Sequence, residues 1–263
     1  MPLVKTNDIE SYYEIHGEGQ PLVFIHGAGG SHDNWHPQVD YFSKRYCVIT
    51  YDARGHGKSG GSERKYSCEL FADDLHALLT VLDIQYPIIA GLSLGGMIAQ
   101  EYAIKYKQNL VGLILADTAV ATALTWSDKI QKWTFPVSLV KWYIRRKDPK
   151  DYARWSFKYF NMKEEVREYL IQEQLQMNQD EFLKLMDAIY SFKLLNLASI
   201  EVPTLVLLGE NERKPVFTHA DKMMELIKNS KKTIISDAGH ASNLENPTMF
   251  NNEVDHFFQE NGL

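Results

Sequence analysis

The sequence predicts an α/β fold: a mostly parallel central sheet flanked by helices, with one helical insertion. Three observations carry this. Short β-branched apolar runs recur along the chain, segments with apolar residues at helical spacing lie between them, and residues 118–200 contain no strand-like run.

Taken in order, the opening segment KTNDIESYYEIHGEG has the pattern of an antiparallel hairpin leading into the sheet. Strand-length runs follow at 21–27, 46–52, 86–91, 110–117, 204–209 and 232–237, each closed by Gly or Asp. Their hydrophobicity is continuous rather than alternating, which indicates burial on both faces, as in a parallel sheet covered by helices. Between strands, Leu70, Leu75, Leu78, Leu79 and Leu82 keep helical spacing behind a capping Ser67. Residues 95–109 form the next helical interval, and 253–262 the last, stopped by Gly262. The segments EEVREYLIQEQLQM and DEFLKLMDAIYSFKLL make 118–200 a helical insertion in a core built from 1–117 and 201–263.

With 44% hydrophobic and 24% charged side chains over 263 residues, the chain is globular and long enough to bury a large core without staples. Its net charge of -6 lacks the basic footprint of a nucleic-acid binder, so no nucleic-acid partner is expected. Cys47 and Cys68 have no C-x-x-C spacing and are expected to be free thiols. No helical H-x-x-x-H pair suggests zinc, and neither a metal nor another cofactor is expected. Neither a secretory leader nor an apolar run of about 20 residues is present, so the expectation is a cytoplasmic protein without a membrane partner. The oligomeric state stays open.

Chemistry enters at Gly91-Leu92-Ser93-Leu94-Gly95, a G-x-S-x-G pentapeptide between a strand candidate and a helix candidate. In that setting a serine is held on a strained turn with its hydroxyl exposed, and the glycines let strand and helix backbones pass closely. A serine hydroxyl needs a base within hydrogen-bond reach. His240, in the loop after the last strand, is the candidate. His26 is expected to brace its loop, His56 sits in a glycine-rich turn, and most of His16, His32, His36, His76, His219 and His256 are expected at the solvated surface. The tetrahedral intermediate needs amide donors. Leu94 supplies one, and Ala28, with Gly29 as alternative, supplies the other from His26-Gly27-Ala28-Gly29-Gly30. Neither G-x-G-x-x-G nor a Walker ending is present to make this a phosphate loop.

Four of the five tryptophans, Trp126, Trp133, Trp142 and Trp155, fall in the insertion beside Phe135, Tyr143, Phe157, Tyr159 and Phe160. Together they are expected to line an apolar substrate pocket; the alternative is that they only pack the insertion. Arg145, Arg146 and Lys147 fit a solvated face.

Taken together, FIHGAGG (24–30), YDARGHGKS (51–59), GLSLGG (91–96), LILADTA (113–119), PTLVLLGENE (203–212) and GHASNLENP (239–247) resemble the α/β-hydrolase superfamily in its branch with a helical cap. The resemblance spans nearly the whole chain. It implies a catalytic acid after PTLVLLG, usually an Asp four residues before a proline. Here that position is Glu212 and Pro215 follows after three residues, so Glu212 is the expected acid and Asp117 the reserve. Asp237 is expected to be a turn residue. A serine at position 93, rather than the aspartate of haloalkane dehalogenases and epoxide hydrolases, implies acyl transfer. The expected function is hydrolysis of a small carboxylic ester through an acyl-enzyme. Alternatives are a lactone, an enol-lactone or a carbon-carbon bond substrate with the same triad, or a ligand-binding signalling module on the same fold.

Overall fold

The computed structural model describes residues 2–263, apart from the side chains of Ser127 and Gln131. Its strands are β1 (Leu3–Thr6), β2 (Ile9–His16), β3 (Gln20–Ile25), β4 (Tyr46–Tyr51), β5 (Ile88–Leu92), β6 (Gly112–Ala116), β7 (Thr204–Gly209) and β8 (Ser230–Ile235). They form one sheet in the order β1-β2-β4-β3-β5-β6-β7-β8. The β1–β2 hairpin and the β2–β4 pair are antiparallel; the remaining pairs are parallel.

The continuous apolar runs have a two-sided cause. Along β3, Val23 and Ile25 enter one core with β5 residue Ile89, while Leu22 and Phe24 enter a second with Ile88 and Ala90. Every second residue faces the same layer, and both layers are dry. Helices α1 (His36–Phe42) and α10 (Pro247–Asn261) cover one face, where Phe42, Phe250, Val254 and Phe258 pack in one cluster with Trp35. The other face is covered by α2 (Cys68–Val81), α3 (Leu94–Lys105) and α9 (Lys214–Leu226) through side chains such as Leu75, Leu78, Ile98, Tyr102 and Met223. Ser67 caps α2 by accepting from the Leu70 amide at 3.1 Å. Cys47 and Cys68 are free thiols, and burial pushes the Cys68 thiol well above its ordinary range.

Some boundaries differ from the sequence expectation. The interval 95–109 splits into α3 and a short 3-10 turn at Lys107–Asn109. The last helix starts at Pro247 because the Asn246 side chain caps it. Helices α1 and α9 were not expected: they bury only two or three side chains each, Gln38 and His219 among them, so no apolar stripe announces them. Between β6 and β7 lie α4 (Trp126–Thr134), α5 (Val137–Ile144), α6 (Pro149–Phe157), α7 (Glu164–Gln174) and α8 (Gln179–Ser191), with no strand among the described residues. None of the described helices is long and apolar enough to cross a membrane.

From β3 the chain moves outward to β4, then returns to β5 on the other side of β3 and continues in the opposite direction. The strand order therefore reverses between β3 and β5. At such a switch point the loops leaving the two strands diverge and open a crevice at the carboxyl edge of the sheet. The loop 26–30 and Ser93 both lie there.

Candidate active site

Ser93 joins β5 to α3 with φ 54° and ψ -112°, a conformation an L-residue rarely adopts. Its neighbours explain why the turn is so tight. A β-carbon on Gly91 would stand 2.2 Å from the Gly95 carbonyl oxygen, and one on Gly95 would stand 2.1 Å from that of Ile25. The serine is further held by its amide, which donates to Ala116 O at 2.9 Å, and by its carbonyl, which accepts from Thr118 Oγ1 at 2.5 Å.

The strained turn aims Ser93 Oγ at His240, whose Nε2 accepts at 3.0 Å. On the far side of the ring, His240 Nδ1 donates to Glu212 Oε1, and the other oxygen of Glu212 accepts the Arg213 amide at 2.6 Å. The structure thus brings Glu212 to the imidazole. Asp117 is engaged elsewhere: Oδ1 accepts the Gly209 amide at 2.9 Å, and Oδ2 accepts the Ser242 amide and hydroxyl at 3.1 and 2.6 Å. It ties the ends of β6 and β7 to the histidine loop. Asp237 stands in a turn with φ 52° and pairs with Lys163.

The electrostatics follow the geometry. Burial works against the charged form of His240, but the Glu212 charge and hydrogen bond, helped by Asp117 and Glu245, outweigh it and hold the imidazole pKa above its ordinary value. Burial likewise pushes Asp117 up to about 7, with Glu212 adding repulsion.

Opposite the serine runs the turn after β3. Gly30 N–H closes it onto Gly27 O at 3.2 Å, and Gly29 takes φ 73°. Gly27 comes so near that a β-carbon there would lie 3.6 Å from Ser93 Cβ. His26 braces this loop: Nδ1 donates to Gly27 O at 2.8 Å and Nε2 accepts from the Ala53 amide at 3.0 Å. Leu94 is the first residue of α3, so no carbonyl one turn earlier in the helix can take its amide. Burial pushes His56, whose ring lies tilted against that of His26, down to about 3.

Two histidines depart from the surface expectation. His32 is buried, and both its amide and Nδ1 donate to Asp52 Oδ1. His219 is buried with Nδ1 accepting the Val120 amide.

The insertion reaches the site through Phe160, one of the aromatics expected near the pocket, and through Asn161, Tyr169, Glu173 and Gln174, which the sequence did not single out. Phe160 stacks on the His240 ring at 4.1 Å between centroids and 24° between planes. Asn161 O accepts the His240 amide at 2.8 Å, and its side-chain amide donates to Asn211 O. From α7, Tyr169 meets Asn34, Glu173 accepts from Ser31, and Gln174 lies against Gly29 with its Nε2 buried and without a partner among the described residues. Spacing on α7 hinted at one face, but nothing local announced what it would touch.

The tryptophans require a correction. Trp126, Trp133 and Trp142 are 80, 83 and 51% exposed, facing solvent instead of walling a pocket. Trp155 is half-buried and packs on Tyr143 and Tyr159 within the insertion. On α4 the indoles recur with Ile130 at helical spacing, and that face of the helix is turned outward.

A family model described as alpha/beta hydrolase fold matches residues 20–247. The chain belongs to the α/β-hydrolase superfamily. This hydrolase is 29% identical, over 95% of both chains, to a putative non-heme chloroperoxidase of a Synechocystis strain. It is also 29% identical to 3-oxoadipate enol-lactonase 2 of Acinetobacter baylyi, over 94% of this chain and 92% of the other. Among solved structures, a thermophilic esterase from Thermogutta terrifontis aligns with TM-score 0.86 and 26% identity, over 98% of each chain. No cluster of three or more metal-ligating side chains occurs among the described residues of the hydrolase.

Proposed function

We propose that the protein hydrolyses small carboxylic esters through an acyl-enzyme, with Ser93 as nucleophile, His240 as base and Glu212 as acid. The single observation that carries this is the continuous relay from Ser93 Oγ through both nitrogens of His240 to Glu212. In acylation, Ser93 Oγ attacks the ester carbonyl carbon while its proton passes to His240 Nε2. The carbonyl oxygen becomes an oxyanion, for which the amides of Leu94 and Ala28 are the assigned donors. Collapse breaks the bond to the alkoxide, which leaves with the proton from His240. Water then enters, gives a proton to His240, attacks the acyl carbon and releases the acid with Ser93 restored. Glu212 orients the ring through Nδ1 and stabilises the imidazolium.

In this reading residues 118–200 serve as a cap, whose segment 157–174 touches the histidine loop and the oxyanion loop. Phe160 and α7, rather than the exposed tryptophans, then border the acyl site. A second reading, a lactone substrate, is favoured by the 29% identical relative named as an enol-lactonase. The same relay opens a lactone with the alcohol still tethered to the acyl group. A non-catalytic binding module would have no need of the strained serine.

Turnover of p-nitrophenyl esters of increasing acyl length, set beside hydrolysis of five-membered lactones, tests both readings. Activity on either that vanishes in Ser93→Ala supports the mechanism. No turnover, with Ser93 inert toward a fluorophosphonate probe, moves the protein to the binding class.

A further inference from the structure

The insertion carries a surface that the catalytic site does not use. On α4, Trp126, Ile130 and Trp133 recur at i, i+4 and i+7, and all three are exposed. Helix α5 buries Val140 and Ile144 and leaves Leu139 and Trp142 outside, with exposed Phe135 in the link between the helices. Large apolar side chains grouped on two consecutive helices are unusual on a free surface and mark a contact.

The same stretch is cationic. Residues 126–150 hold seven Lys and Arg against two Asp, a net +5 in a chain whose total is -6. Lys132 is engaged by Tyr190 O and Lys141 by Asp187. Among the described residues, by contrast, Lys129, Arg145, Arg146, Lys147 and Lys150 are absent from every ion pair. Lys129 Nζ lies 5.6 Å from the Trp126 ring centroid and the Arg146 guanidinium 4.1 Å from that of Trp142, so charge borders the indoles directly.

We propose that α4 and α5 dock the protein on the anionic headgroup surface of a lipid bilayer. The indoles and Ile130 would sit at the boundary between headgroups and acyl chains, and the cations on lipid phosphates. A segregated apolar face, flanking Lys and Arg, and tryptophan are the features of a helix that lies in the interface. With 9 and 8 residues, neither helix spans a bilayer, which needs about 20. A bilayer supplies both complements at once, whereas a second copy of this chain would set five unpaired cations against five more. The sequence-based expectation of no membrane partner considered crossing segments, and this contact is of another kind.

The experiment uses the full chain with large unilamellar vesicles, either pure phosphatidylcholine or about one third phosphatidylglycerol, read by co-sedimentation and tryptophan emission. Expected are binding to the anionic vesicles with a blue shift, at least tenfold weaker binding to neutral ones, and release as salt rises from about 0.1 to about 1 M, where the screening length falls from ~10 to ~3 Å. Combining Arg145→Gln, Arg146→Gln and Lys147→Gln should weaken binding about a hundredfold, at roughly fivefold per cation. Trp126→Ala with Trp133→Ala should cost at least tenfold and remove most of the blue shift. Circular-dichroism melts confirm that each variant is folded. Wild-type protein that stays in the supernatant with anionic vesicles overturns the proposal, as does binding indifferent to lipid charge and to the triple substitution. A concentration-dependent dimer that the double tryptophan variant dissolves would assign the face to a second copy and overturn it equally.

Discussion

Replacing Glu212 by Gln changes one atom of a side chain that is almost wholly buried, so the effect isolates charge and hydrogen-bond polarity. In the wild type, Oε1 accepts from His240 Nδ1 while Oε2 accepts from the Arg213 amide. The Arg213 amide keeps the glutamine oxygen on its own side, which turns the new NH2 toward His240. Nδ1 must then become the acceptor, and the ring proton moves to Nε2, where it meets Ser93 Oγ. A base already carrying its proton cannot take the serine's. The loss expected for a wrong tautomer is about 10⁴ in kcat, equivalent to ~5 kcal/mol of barrier. KM should change little, since Glu212 does not touch substrate in this mechanism. The pH profile gives a second readout. Catalysis requires neutral His240, so activity is lost as pH falls through its pKa, which Glu212 holds above the ordinary value. Without that charge, burial is opposed only by the weaker fields of Asp117 and Glu245, and the acid limb of kcat/KM moves to lower pH. Steady-state hydrolysis of p-nitrophenyl acetate from about pH 5 to 9 measures both. Asp117→Asn, whose carboxylate faces Gly209 and Ser242, should cost tenfold or less in kcat. If Asp117→Asn is the more damaging change, or Glu212→Gln retains a tenth of the activity, the assignment of the acid is refuted.

Ser93→Ala keeps the backbone strain but removes the nucleophile; hydrolysis should fall to background and fluorophosphonate labelling disappear, with the melting temperature within a few degrees of wild type. Retained turnover would refute the acyl-enzyme. Phe160→Leu preserves bulk over His240 but removes the π face that favours an imidazolium, and should shift the acid limb of kcat/KM down by about half a pH unit. An unchanged limb would leave Phe160 as packing alone. Asp117 has a folded pKa of about 7 against 3.8, so the native state binds the extra proton and this group's contribution to stability is full below the unfolded value and lost as pH rises through about 7. Denaturant midpoints measured across that window should decline more steeply for wild type than for Asp117→Asn, and parallel declines would contradict it.

Much of the fold was legible because its signals are local. The runs that became β3 to β7 are largely apolar on consecutive residues, and a strand buried on both faces has no other way to be written, whereas the edge strand β8 is apolar only at its end and buries Ile235 alone. The turn around Ser93 declared itself for a similar reason: Gly91 and Gly95 are where backbone meets backbone. By contrast α1 and α9 bury too few side chains to show a stripe. The tryptophans misled because composition reports how many aromatics a segment holds and not which way each faces.

By itself, then, the sequence determined the strands and their order along the chain, the helical insertion, the serine turn, and the short set of residues from which a base and an acid would be drawn. The order of those candidates in space was another matter. Whether Glu212 or Asp117 meets His240 depends on how β6, β7 and the loop after β8 converge, over separations of 28 and 123 residues. Phe160, Asn161 and Gln174 reach the site from an insertion that returns across the sheet edge. Only the tertiary structure decided these contacts, because a hydrogen bond or ring stack between distant segments leaves no period in the chain, and its energy exists only once packing has brought the partners within a few ångströms.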